Sequence, residues 1–114
     1  MSEKGNNDVG IIALSGHVRM GEQVEKMRND IDANFSSGQT RMVVSMEGVR
    51  SLDSSALGVL VRSLTMAKQR GGTIKLAHVP PSVAQTLQIT GIWRLFEVFD
   101  NDKKAVDSFS GSTP

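Results

Sequence analysis

The spacing of apolar and polar positions changes several times along the chain, and each change marks an element. Val9 to Leu14 is a short apolar run that reads as a strand. Ser15-Gly16 reads as a turn, after which His17-Val18-Arg19 can pair back as a second short strand. From Gly21 to Phe35 the apolar residues Val24, Met27, Ile31 and Phe35 recur at spacings of three, four and four. That is one face of an amphipathic helix, with Glu22, Glu25, Arg28 and Asp32 on other faces. Ser36-Ser37-Gly38 ends it, the glycine supplying the left-handed residue that helix ends favour. Arg41 to Met46 sets Met42, Val43 and Val44 side by side, too close for one helix face, which predicts a strand covered on both sides. Gly48 to Leu52 reads as a loop.

A second helix is predicted from Ser54 to Arg70, where Leu57, Leu60, Val61 and Leu64 follow the i, i+3, i+4, i+7 template. Gly71-Gly72 stops it. Thr73 to His78 alternates Ile74 and Leu76 against Lys75 and Ala77, a strand pattern. Pro80-Pro81-Ser82 opens a third helix, because proline fits the first helical turn, with Val83 and Leu87 inward and Gly91 closing it. Leu95 to Phe99 reads as a last strand. Asp100 to Asp102 then caps a final helix with Ala105, Val106 and Phe109 on its apolar side. Strands alternating with helices predict an α/β layer structure, helices packed on a parallel or mixed sheet.

Composition narrows the class. The chain has 114 residues, 39% of them hydrophobic and 22% charged, with a formal net charge of +1. This is one folded domain, expected over residues 9–109 between a disordered polar tail at 1–8 and a second tail at 110–114. The near-neutral balance argues against nucleic-acid binding as the main activity. There is no cysteine, so disulfides, thiolate catalysis and cysteine-ligated metals are absent. The polar start carries no signal core and no window reaches the roughly 18–20 apolar residues a membrane span needs. The expectation is a soluble, cytoplasmic protein with no membrane role.

Catalytic motifs are missing. There is no G-x-x-x-x-G-K-[ST] phosphate loop and no G-x-S-x-G nucleophile elbow. His17 and His78 stand in no metal-ligand spacing. No enzyme, cofactor or metal is expected. Gly71-Gly72 reads as a helix end, Met27, Met42 and Met46 as core filling, and Trp93 as a shield for the sheet end. One stretch stands apart: Asp53-Ser54-Ser55 directly precedes the second helix. Aspartate and serine are preferred N-caps, but one cap position needs only one such residue. With Leu57, Leu60, Val61 and Leu64 inward at 100° per residue, Ser55, Val59, Arg62 and Met66 fall together on the opposite face. A hydroxyl, a valine, an arginine and a methionine in one outward stripe suggest a docking surface.

"Leu52-Asp53-Ser54-Ser55-Ala56-Leu57-Gly58-Val59-Leu60" resembles the core motif of STAS domains, the sulfate-transporter and anti-sigma-factor-antagonist family. The likeness continues through "Lys68-Gln69-Arg70-Gly71-Gly72-Thr73-Ile74-Lys75-Leu76", "Val79-Pro80-Pro81-Ser82-Val83" and "Leu87-Gln88-Ile89-Thr90-Gly91-Ile92", and covers Val9 to Phe109. The resemblance implies a central mixed sheet of four to five strands flanked by about four helices. A lone domain with the serine pair intact is most similar to bacterial anti-sigma factor antagonists. On that likeness, the protein binds an anti-sigma factor that is also a serine kinase, which phosphorylates Ser55 and so ends the complex, and a serine phosphatase resets it. Asp53, Ser54, Ser55, Ala56, Val59, Arg62 and Met66 are the expected partner-binding residues. Ala56 stands where the family very often has glycine, and Ser45 where an acidic residue or asparagine is common. STAS-like domains also serve as scaffold or accessory subunits of stress-sensing or lipid-transport assemblies, which is the alternative function.

Overall fold

A computed structural model describes residues 8–110. In chain order it contains β1 (Gly10–Val18), α1 (Glu22–Ser36), β2 (Arg41–Leu52), α2 (Ser54–Gln69), β3 (Thr73–Ala77), α3 (Pro81–Ile89), a 3-10 turn (Trp93–Leu95), β4 (Val98–Phe99) and α4 (Asp102–Ser110). The four strands form one sheet in the order β1-β2-β3-β4, every neighbouring pair parallel.

The α/β architecture with four helices agrees with the sequence pattern, and three local readings change. Ser15-Gly16 does not turn the chain back. Gly16 takes a left-handed φ of 71° and the register slips at Ala13/Ser15 and again at Gly16/His17, so the strand bends and continues in parallel to Val18 opposite Leu52. Two bulges absorb the irregularity that a hairpin would otherwise have explained. With no hairpin, the sheet is wholly parallel among the described residues where a mixed one was expected. Gly48 to Leu52, read as a loop, is the second half of β2, held by that same pairing. The last strand shrinks to Val98–Phe99, because Trp93–Leu95 winds into the 3-10 turn.

Of the expected tails, residues 1–7 and 111–114 lie outside the described residues; Asp8 is held through its carbonyl by Gln39 Nε2 at 2.8 Å, and Ser110 is the last residue of α4.

The sheet divides the molecule into two layers. Met42, Val44 and Met46 of β2, with Ile74 and Leu76 of β3, face α1, α2 and α3. Val24, Met27, Ile31 and Phe35 of α1, Leu57, Leu60 and Leu64 of α2, and Val83 and Leu87 of α3 close that core. The three methionines read as core filling are all buried in it. Val43 and Ala77 point the other way, onto Ala105 of α4, with Val106, Phe99 and Phe109 around them. Gly71-Gly72 does end α2. Gly71 sits at φ 88°, its N–H donates to Lys68 O, and Gly72 N–H donates to Ala67 O at 2.8 Å. At Gly72 a Cβ would strike the Thr40 carbonyl, so only glycine lets β3 begin beside β2.

Candidate functional site

The parallel sheet places β2's carboxyl end at the amino end of α2, and the Asp53-Ser54-Ser55 stretch is the junction. Asp53 is the N-cap: it is extended, with φ −91° and ψ −179°, and α2 begins at Ser54. Its Oδ1 accepts the Ala56 N–H at 3.0 Å and the Ser55 hydroxyl at 2.7 Å. Its Oδ2 accepts the Met20 N–H at 2.8 Å. Its own N–H donates to Val18 O at 3.1 Å. One carboxylate thus satisfies an orphan donor of the helix, fixes Ser55 and ties down the loop between β1 and α1. The Ser55 hydroxyl, with the Ala56 and Met20 N–H groups, holds the Asp53 carboxyl down at about 2, below its ordinary 3.8. A carboxylate accepting several hydrogen bonds is stabilised in its charged form.

The cap question is therefore resolved: Asp53 takes the cap, Ser54 is exposed at the first helical position, and Ser55 is half-buried at the second. Ala56 faces inward and is fully buried. Its methyl group packs in the core rather than over the Ser55 hydroxyl. Ser45 is buried in β2, opposite Ala13 of β1 and Ala77 of β3.

The predicted outward stripe is only partly outward. Arg62 is exposed and Met66 half-buried, but Val59 is 7% exposed and belongs to the core. The reason is α1, which lies over this side of α2. The two helices form a cleft lined by Arg28, Asp32, Val59, Arg62, Ser63 and Met66. Ser63 is buried there as well, while Val61, expected inward, is half-buried. The exposed positions of α2 are instead Ser54, Gly58, Arg62, Thr65, Lys68 and Gln69.

Sequence reasoning also missed Met20. It is 76% exposed, a large apolar side chain in water beside the amino end of α2, with its backbone held by Asp53. A lone methionine between Arg19 and Gly21 carries no periodic signal, so only the fold brings it to the site. His17 and His78 lie at strand ends: His17 Nδ1 is 2.8 Å from Ser51 Oγ, and His78 Nε2 is 3.8 Å from Asp102 Oδ1. Trp93 packs partly buried against the core beside α3. Among the described residues no group of three or more His, Cys, Asp or Glu side chains could hold a metal, and no helix is long and apolar enough to cross a membrane.

An aspartate-capped serine pair thus stands at the head of α2, where the long β2 of a parallel sheet ends. The STAS domain family profile matches residues 2–105, and the chain belongs to that family. Among its relatives, the anti-sigma F factor antagonist of Paenibacillus polymyxa is 29% identical over 97 residues, covering 84% of this chain and 82% of the relative. The fold is similar to that of the anti-sigma factor antagonist SpoIIAA in its unphosphorylated form, with a TM-score of 0.80 at 20% identity over 94% of this chain and 92% of that one. It is also similar to the Bacillus cell fate determinant SpoIIAA in its phosphorylated form, with a TM-score of 0.71 at 20% identity over 91% and 93%.

Proposed function

We propose that this protein is an anti-sigma factor antagonist that acts by binding rather than by catalysis, and that phosphorylation of Ser55 by a serine-kinase anti-sigma factor switches it off. A serine phosphatase then restores the binding form. The observation that carries the reading is the position of Ser55: a hydroxyl in the first turn of α2, part-exposed, beside an exposed methionine. The relatives bearing the antagonist name supply the class of partner. The reading implies action in the cytoplasm, where ATP and sigma factors are found, and requires no direct contact with nucleic acid or membrane.

The physical chemistry of the site suits a switch. The first turn of a helix has unsatisfied N–H groups and a partial positive charge, so a phosphate there is locally favoured by about 0.3–1 kcal/mol per charge. Against this, the Ser55 hydrogen that Asp53 now accepts is lost, and a phosphate comes to face a carboxylate. The two effects oppose each other, so the fold survives the modification. At an interface nothing offsets the new charge of about −1.5 to −2. An unpaired buried charge costs about 3–5 kcal/mol, two to four decades of affinity.

The test is to incubate the protein with purified anti-sigma factor and ATP, map the product by mass spectrometry, and measure binding of Ser55→Asp and Ser55→Ala. The reading expects phosphate on Ser55, a loss of affinity of at least about a hundredfold in Ser55→Asp, and near-native binding without modification in Ser55→Ala. Unmodified Ser55, or unchanged affinity in Ser55→Asp, would refute it.

A further inference from the structure

The sheet has an edge that its own side chains do not guard. β1 stands first in the strand order, so among the described residues no strand pairs with its outer side. Alternate N–H and C=O groups of a parallel strand point away from its neighbour, and such a row is a template for another strand. Edges are commonly blunted by lysine, by proline, by an inward-pointing charge or by a bulge. Gly10–Val18 has no proline and no Asp, Glu, Lys or Arg. The extra residues at its two register shifts lie on β2, and the left-handed Gly16 comes only after Gly10 to Ser15. Met1 to Asn7 holds one apolar residue and no β-branched one, a poor composition for a covering strand.

Both faces beside this edge are open. Ile11 pairs with Val43 and shares its side of the sheet. On that side Ile11, Ala13, Ser15 and His17 are all exposed, because α4 packs on β2, β3 and β4 instead. On the other side β1 and α1 border a groove of about 140 Å³, lined in part by Leu14, Val18, Met27, Lys26 and Asp30.

The charges at the border decide what fits. Asp8 precedes β1 and Arg19 follows it, and among the described residues neither side chain has a hydrogen bond or ion pair. On α1, Lys26 Nζ stands 2.9 Å from Asp30 Oδ2. An antiparallel strand with the same flanks answers each of these charges with its opposite, and β1 is such a strand. Set two copies of β1 antiparallel about a two-fold axis at Ala13. Ile11 then lies opposite Ser15, Ile12 opposite Leu14 and Gly10 opposite Gly16, each pair on one face. Asp8 of one copy comes to Arg19 of the other, and Lys26 of one α1 comes to Asp30 of the other.

We propose that this protein pairs with a second copy of itself through β1, the two sheets joining antiparallel into one. The interface is isologous, the same surface on both copies. Because β1 and β2 are parallel, the two Ser55 sites lie at opposite ends of the joined sheet and both stay open. The pairing neither needs nor hinders the phosphorylation switch, so its test is separate from that one.

The chain has no cysteine, so a single introduced one reports on the register. In Ala13→Cys the two sulfurs meet at the axis, where cross-strand Cβ atoms are about 4.5–5.5 Å apart, and mild oxidation yields a covalent dimer. Lys68→Cys, on the exposed side of α2, links only by chance collision. Sedimentation of the parent protein from about 1 µM to about 1 mM shows monomer passing to dimer. Ala13→Lys sets like charges opposite each other and raises the dissociation constant about tenfold or more, with circular dichroism unchanged. A parent protein that stays monomeric overturns the proposal, including one whose β1 amides exchange slowly until residues 1–7 are removed, since its own start then seals the edge. A dimer that a folded Ala13→Lys leaves intact, or Ala13→Cys linking no faster than Lys68→Cys, places the contact elsewhere and overturns it too. Should Ala13→Lys fail to fold, the cysteine pair decides.

Discussion

The two faces of the sheet are held by different means. On one, α1, α2 and α3 bury a continuous apolar layer in which Met27, Ile31, Met42, Met46, Leu60 and Leu76 are almost wholly removed from water. On the other, α4 covers only part of the sheet and leaves Ile11 on edge strand β1 51% exposed. The apolar contact there is small, Val43 and Ala77 against Ala105 with Phe99, Val106 and Phe109 at its rim. Within it lies a charge. The Lys75 side chain is 8% exposed, its Nζ donates to Ser108 Oγ at 2.7 Å, and it stands 4.2 Å from the centre of the Phe109 ring and 5.6 Å from that of Phe99. Glu97 Oε1, largely in water, is 3.7 Å away. One face is held by area, the other by a cation boxed between rings and a hydroxyl. The helix bearing the proposed switch is anchored in the first, so its amino end can accept a new charge while its underside stays packed.

The comparison breaks first at the core. Leu60→Ala removes a fully buried side chain beneath α2 and is expected to cost about 2–5 kcal/mol in denaturant unfolding, with protection lost throughout the domain. A loss confined to α2 would show that the three-helix face is not one cooperative unit. The second test is on the other side. Lys75→Ala removes the hydrogen bond to Ser108 and the contacts to two rings, a loss of about 1–2 kcal/mol. Hydrogen exchange should quicken in α4 while α2 keeps its protection; equal loss in both helices would erase the distinction between the faces.

Smaller effects sharpen the picture at the junction. Asp53→Ala deletes the cap of α2 and the tether of Met20, and is expected to lower the melting temperature, with exchange of the Met20 and Ala56 amides accelerated together. If only Ala56 responds, the loop is held by something other than the carboxylate. The last test is of pH. Because the folded Asp53 carboxyl lies at about 2 and its ordinary value is 3.8, its contribution to stability is fully present above about pH 4 and is lost as pH falls toward 2. Carboxyl-detected NMR should place its midpoint near 2. Ser55→Ala should raise that midpoint, since the hydroxyl is the largest cause of the depression; an unmoved midpoint would uncouple the pair.

Much of this was legible along the chain because it depends on local spacing. A run such as Val24, Met27, Ile31 and Phe35 can be buried on one side only as a helix, and adjacent Met42, Val43 and Val44 can be covered on both sides only as a strand. The candidate site stood out as an excess, three capping residues where a helix end uses one. Other features were not. Lys75 alternates with Ile74 and Leu76 and reads as a solvent-facing strand position; it is buried because α4 returns from far along the chain to cover it. Gly48 to Leu52 is loop-like in composition, and is a strand because β1 pairs with it to the end, β2 taking up its extra residues at two register shifts.

The sequence by itself determined the order of elements, the helix phases near their hydrophobic centres, and the junction at Asp53-Ser54-Ser55, because periodicity and capping act over a few residues. Only the tertiary structure decided how wide each buried face is. A helix sheltered by one neighbour buries one stripe; α2, sheltered by the sheet and by α1, also buries Val59 and Ser63, and leaves Gly58 and Arg62 to the solvent. The tertiary structure alone brings Met20 to Asp53, across a separation in sequence that no local pattern spans.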